Sequence, residues 1–161
     1  MIAIGIAPGV QSFGYAVVVW DGSTDQKPSC LDWEIVRGSR HRPQSTFELA
    51  KRCRAHHLVL DPLLTRHHDA VVVIGPPVGK EPAAHVQSVR IFFRAIAEAL
   101  GLRVVELDQQ QVCNHLKIDG RKITAEIKRA TGNVIGRDKR LVLAAAAALA
   151  GVAMLGRGGE A

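Results

Sequence analysis

The sequence predicts an α/β domain, a mixed five-stranded sheet flanked by helices. Three observations predict it. Three β-like runs crowd into the first 36 residues, joined by turn chemistry. From residue 45 onward, helical stretches alternate with two further apolar runs. An alanine-rich stretch near the C-terminus is apolar all round, which marks a buried helix. Strands clustered early, followed by alternation, give a mixed sheet with helices on its faces.

The elements follow in order. "MIAIGIA" is a short isoleucine-rich run ended by Pro8-Gly9, and "GYAVVVW" leaves that turn as a second, antiparallel strand. "CLDWEIV" alternates like a third strand after the turn-rich "DGSTDQKPS". Ser45 and Glu48 have capping-box spacing and open a helix that reaches His67, with Pro62 as a kink or an end. "DAVVVIG" reads as a buried parallel strand. A helix over 83–101 closes at Gly101. "LRVVELD" is the fifth strand, and "QQQVCNHL", "GRKITAEIKRATG" and the alanine-rich run complete the chain as helices.

The whole 161-residue chain reads as one domain, residues 1–156, with 157–161 as a flexible tail. The longest apolar run, 141–155, is shorter than the roughly 20 residues needed to span a bilayer, so no membrane association is expected. The N-terminus has no basic region before its apolar run, and Pro8 interrupts any signal core. Cys30, Cys53 and Cys113 have no zinc or disulfide spacing, so a reducing cytoplasm is expected. A formal net charge of +6 favours an anionic partner, nucleic acid first.

On the helix over 84–100, Gln87, Arg90, Arg94 and Glu98 form one narrow polar stripe, and nearly everything else is apolar. Adjacent Phe92 and Phe93 point about 100° apart, too far for one face against the sheet. A second surface must cover them. It is either another helix of the chain or a dimer partner, and the two rings are the candidate dimer interface.

"IGIAPGVQSFGYAVV" resembles the opening of the RuvC-type Holliday-junction resolvases, members of the RNase H-like superfamily. Their first strand ends in Asp-Pro-Gly and a Gly-Tyr strand follows. Pro8, Gly9, Gly14 and Tyr15 match, and Ala7 stands where the family has aspartate. "DAVVVIG", "VVELDQQQVCNHL", "GRKITAEIKRA" and "RDKRLVLAAAAALAG" resemble later family segments in the right order. The YqgF family is a second resemblance, through "VVVIGPPVG".

The resemblance implies phosphodiester hydrolysis by two Mg²⁺ ions held on clustered carboxylates. The family draws those acids from strand one, strand four and the last helix. Here the matching positions are Ala7, Gly75 (Ile74 in a register slipped by one) and Leu141, with Asp138 the one possible remnant. Were Asp138 the second acid of its pair, the first would be Ile135. A lone Asp-to-Ala change would explain Ala7 but neither Gly75 nor Leu141. The plainer reading of Asp138 is a helix-start acid favoured by the macrodipole. Asp108 and Glu106, two apart on a strand, share a face and are the candidates for a relocated metal site.

Phosphate contacts need only cations and backbone donors. The resemblance turns the loop after strand four and the helices after strand five toward DNA, which makes Lys80, Lys117, Arg121, Lys122, Arg137, Lys139 and Arg140 the DNA-binding candidates, with Lys128, Arg129 and His115 beside them. Arg90 and Arg94 are weaker candidates. His56-His57 and His67-His68 diverge as neighbours on a helix and form no chelate; solvated or interface histidine is expected. The expectation is therefore a catalytically inactive, homodimeric binder of branched or double-stranded DNA that needs no cofactor. A divergent Mg²⁺-dependent junction endonuclease and a protein-interaction module that keeps only the fold are the alternatives.

Overall fold

A computed structural model of the chain describes residues 1–23, 26–38, 41–78 and 83–157. Five strands form one sheet: β1 (Ile2–Ala7), β2 (Ser12–Val19), β3 (Ser29–Arg37), β4 (Val71–Ile74) and β5 (Arg103–Glu106), in the order β3-β2-β1-β4-β5. β1 and β2 are antiparallel, as are β2 and β3, with an irregularity between Val17 and Val18. β4 runs parallel to β1, and β5 parallel to β4. This is the mixed sheet the sequence predicts.

Helices α1 (Thr46–Arg66) and α2 (Ala83–Ala99) cover one face. Helices α3 (Gln109–Leu116), α4 (Ile123–Ala130) and α5 (Lys139–Arg157) cover the other. Ser45 caps α1 by accepting the Glu48 N–H at 3.2 Å, but Glu48 reaches back to the Gln44 N–H at 2.6 Å, one residue earlier than a capping box requires. Pro62 lies inside α1 and does not end it. Gly101 closes α2 with φ +76°.

The α5 face of the sheet is built from small residues. Side chains alternate along a strand, so Ala3, Gly5 and Ala7 of β1, with Gly14 and Ala16 of β2, face α5. A Cβ at Gly5 would overlap the Ala144 carbonyl oxygen, and one at Gly14 would lie 2.8 Å from the Arg140 backbone. Gly151 of α5 returns the fit, lying against Val73 and Ala3. The alanine run 144–148 thus seats a helix almost on the strand backbones, and all five alanines are fully buried. The window Lys139–Gly156 is long and apolar enough to cross a membrane by length and composition, yet 67% of it is buried inside the fold, as befits a core helix.

The opposite face carries the large side chains. Phe13, His56 and Phe93 meet edge-on, with ring centroids 4.9 Å apart for Phe13–His56 and 5.1 Å for Phe13–Phe93. His56 is therefore a core histidine, 3.3 Å from the Val10 carbonyl oxygen, not a solvated one. Phe93 is fully buried, which corrects its assignment to a dimer interface. Phe92 is half-buried, with His57 of α1 edge-on at 6.2 Å. The second surface demanded by the wide apolar stripe is α1 of the same chain. Lys80 and residues 158–161 lie outside the described residues, and α5 itself extends through Arg157.

Candidate nucleic-acid interface

The C-terminal ends of β1, β4 and β5 and the starts of α3 and α5 gather at one end of the sheet. Ala7 pairs with Gly14, and Gly14 presses on the backbone of Arg140 at the start of α5. The Gly75 N–H donates to the Ile6 carbonyl at 2.8 Å, which fixes position 75 beside the end of β1. A Cβ at Gly75 would lie 2.9 Å from the Ala147 Cβ. The positions singled out at 7 and 75 are thus brought together against α5.

They hold no metal ligands. Ala7 and Ile135 are 0% exposed, and Leu141 is 8% exposed. Mg²⁺ requires several hard oxygen donors, and methyl, isobutyl and hydrogen supply none. Among the described residues, no group of three or more His, Cys, Asp or Glu side chains is gathered to hold a metal ion. These residues do not fit a two-metal centre.

Asp138 keeps its carboxylate but has a different task. It stands immediately before α5, where its Oδ1 accepts the Arg140 N–H at 2.9 Å, and its carbonyl accepts the Val142 N–H at 3.0 Å. The Arg140 guanidinium binds the same carboxylate in fork fashion, Nε to Oδ1 at 2.9 Å and Nη2 to Oδ2 at 2.8 Å. Hydrogen bonding from Arg140 holds the Asp138 carboxyl below the usual range, and the charge of Arg37 adds to the effect. Arg140 Nη1 also donates to Ser12 Oγ, which ties the start of α5 to the start of β2. The helix-start reading of Asp138 is the one the geometry supports.

Glu106 and Asp108 do not rebuild the centre. Glu106 is in register with Ile74, whose side chain belongs to the α1–α2 face. Its carboxylate takes Arg90 at 3.1 Å and Arg94 at 3.3 Å, across the sheet from Ala7. This register corrects Glu106 as one of the two candidates for a relocated metal site, and Arg90 and Arg94 are engaged on the same face. Asp108 caps α3 in a reciprocal capping box with Gln111, accepting its N–H at 2.7 Å.

Cations surround this sheet end. Arg137 and Lys139 are exposed at the start of α5. Arg121 and Lys122 are exposed on the 3₁₀ turn Gly120–Lys122, where Asp119 accepts the Arg121 N–H at 2.9 Å. Gly120 lies beside Gln109, so that turn folds back to the start of α3. Lys117 is exposed at the far end of α3, in the left-handed conformation with φ 56°. Arg129 pairs with Glu126 at 3.2 Å. Sequence reasoning missed Ser12 and Arg37; Arg37 sits opposite Ser12 in the ladder, so the edge strand adds a cation here.

No protein-family model matches the chain, and no curated protein matches it. Solved structures do. Thermus thermophilus RuvC superposes with a TM-score of 0.82 at 23% identity, over 98% of this chain and 97% of that one. T. thermophilus RuvC in complex with Holliday junction substrate gives 0.79 at 21% identity, over 98% and 96%. The yeast mitochondrial Holliday junction resolvase Ydc2 gives 0.54 at 14% identity, over 96% and 78%. A likeness at these identities is one of architecture, and with its sheet order and helix placement it means that this chain has the RNase H-like fold of RuvC.

Proposed function

We propose that this protein binds branched DNA of the Holliday-junction type and does not cut it. One observation carries the reading: the strand ends and the first turn of α5 present Ala7, Gly75 and Leu141, the carboxylate of Asp138 is neutralised by Arg140, and exposed cations ring the same end. A site closed to metal and open to phosphate favours binding over hydrolysis. The fold is also that of a RuvC solved with a Holliday junction substrate. Arg121, Lys122, Arg137 and Lys139 would take backbone phosphates, and Arg140 would position Asp138 and the helix start. Lys117 would extend the contact along α3, and Lys80 would add to it. The protein would work without a cofactor, in the cytoplasm.

A homodimer suits this role, because two copies related by a two-fold axis match the symmetry of a four-way junction. Leu58 on α1 and Ile91 on α2 stay exposed, at 71% and 57%, and would supply apolar contact in place of the buried Phe93.

The test is incubation with four-way junctions, matched duplex and Mg²⁺ or Mn²⁺, read both as gel shift and as cleavage. Junction binding without cleavage is expected. Cleavage abolished by Asp138→Asn would replace this reading with a divergent endonuclease. Absence of any shift at low salt would leave a protein-interaction module.

A further inference from the structure

A basic cavity lies at the start of α1, apart from the cations described above. His41, Arg42, Gln44, Glu48, Lys51 and Arg52 enclose about 490 Å³. Three of the six are permanent cations, and Glu48 is the one acid among them. Glu48 is engaged locally, because its Oε2 accepts the Gln44 N–H at the helix start. Arg52 is fixed by donating from Nη2 to the His41 carbonyl. Its Nη1 is buried and has no hydrogen-bond partner among the described residues. A desolvated guanidinium N–H without an acceptor bears its full desolvation penalty. An oxyanion supplies the missing acceptor and the opposing charge together. Lys51 is held at the rim with Nζ 4.6 Å above the ring of Phe47.

The cavity is joined to the interface by the ladder itself. Arg140 Nη1 donates to Ser12 Oγ, Ser12 stands opposite Arg37, and the next residue, Gly38, donates its N–H to the Gln11 carbonyl at 2.8 Å. Arg37 is the last residue of β3, and three residues separate it from His41. Cations therefore run from Arg137, past Arg140 and Arg37, to Arg42 and Arg52, around one end of the sheet and onto its α1 side.

We propose that this cavity binds a backbone phosphate of the same nucleic acid, so that the strand leaving the α5 side wraps the sheet end and is gripped at α1. The inference rests on the DNA-binding reading. Free inorganic phosphate is the other source of the same chemistry, and the experiment separates the two.

The experiment compares wild type with Arg42→Gln, Lys51→Gln and Arg42→Gln/Arg52→Gln, each checked for an intact melting transition. Affinity for a four-way junction is measured between about 50 and 200 mM salt, and inorganic phosphate is titrated while the His41 and arginine side-chain resonances are followed. The double variant is expected to lower the slope of log affinity against log salt by about 2, one for each lost contact. Lys51→Gln, on the rim, tests the site even where Arg52→Gln lowers the melting temperature. Unchanged slopes in every variant would overturn the inference while leaving the DNA-binding reading in place. No junction binding by wild type, with phosphate still shifting His41 and Arg52, would make the cavity a free-phosphate site and overturn the backbone proposal. No response to either probe would remove both readings.

Discussion

The guanidinium of Arg140 holds both oxygens of Asp138, with Nε 2.9 Å from Oδ1 and Nη2 2.8 Å from Oδ2. A carboxylate so engaged, and also accepting a helix N–H, has three of its roughly four acceptor sites taken by Arg140. The pair secures the first turn of α5, which in turn seats the alanine run on β1 and β2. Replacing Arg140 by alanine strands a partly buried carboxylate and frees Ser12, and is expected to cost about 2 kcal/mol, in the range for hydrogen bonds to charged groups. Urea unfolding at neutral pH measures it.

The same pair sets a pH dependence. Arg140 depresses the folded-state pKa of Asp138 below its ordinary value of 3.8. A depressed carboxylate contributes stability that is fully present above its unfolded pKa, near 4, and is lost as pH falls through the folded value. The stability gap between wild type and Asp138→Asn should therefore be constant from neutral pH to about 5, then shrink below 4. A gap that stays constant down to acid unfolding would separate Asp138 from Arg140.

Close seating of α5 makes a sharper prediction at glycine. Gly5→Ala places a Cβ on the Ala144 carbonyl, which only a shift of helix or strand can relieve. A loss of about 3 kcal/mol is expected, the upper range for overpacking a tight core. Gly136→Ala is the control, because nothing lies within 4 Å of its Cβ. It should be neutral or stabilising by up to about 1 kcal/mol through reduced chain entropy. Thermal melts of the two variants decide whether packing or backbone freedom governs.

Much of this architecture is legible in the sequence, for reasons that also explain the failures. Apolar runs such as Val71–Ile74 announce themselves as buried strands, and the alanine run announces a helix that sits close to its sheet. The small residues Ala3, Gly5, Ala7, Gly14 and Ala16 carried the matching signal at period two. Glu106 went astray because parallel strands have no hairpin to set their register, and a single step exchanges the faces. His56 and His57 are adjacent on a helix, and only the helix phase decides that the first is buried between Phe13 and Phe93. Ser12 and Arg37 meet Arg140 and Asp138 across long sequence separations, which no local pattern encodes.

Placing acids at positions 7 and 75 should not create a nuclease. Ala7→Asp buries a charge where the wild-type side chain is 0% exposed, among the apolar residues of the α5 face. Gly75→Glu must first clear the Ala147 methyl, 2.9 Å from its Cβ. The single Asp variant is expected to lose about 3 kcal/mol or more, as an unpaired buried charge does. The double variant should melt lower still, gain no stability from Mg²⁺ or Mn²⁺, and leave a four-way junction uncut. Cleavage by that variant would mean that the site is closed only by chemistry and not by packing.

The cations at the sheet end should act as phosphate contacts, not as readers of sequence. Arg137, Lys139 and Lys122 are exposed and reach out from the starts of α5 and α4. Charge that neutralises phosphate releases counterions, so each contact steepens the salt dependence by about 0.9. Changing all three to glutamine should flatten the salt slope by nearly 3 and weaken junctions of unrelated sequence equally. Asp138→Asn, which keeps the helix-start hydrogen bond and removes one negative charge, should change junction affinity in the opposite direction. Fluorescence anisotropy at several salt concentrations reads both effects. An Asp138→Asn variant that bound more weakly than wild type would place the carboxylate, not the cations around it, at the centre of recognition.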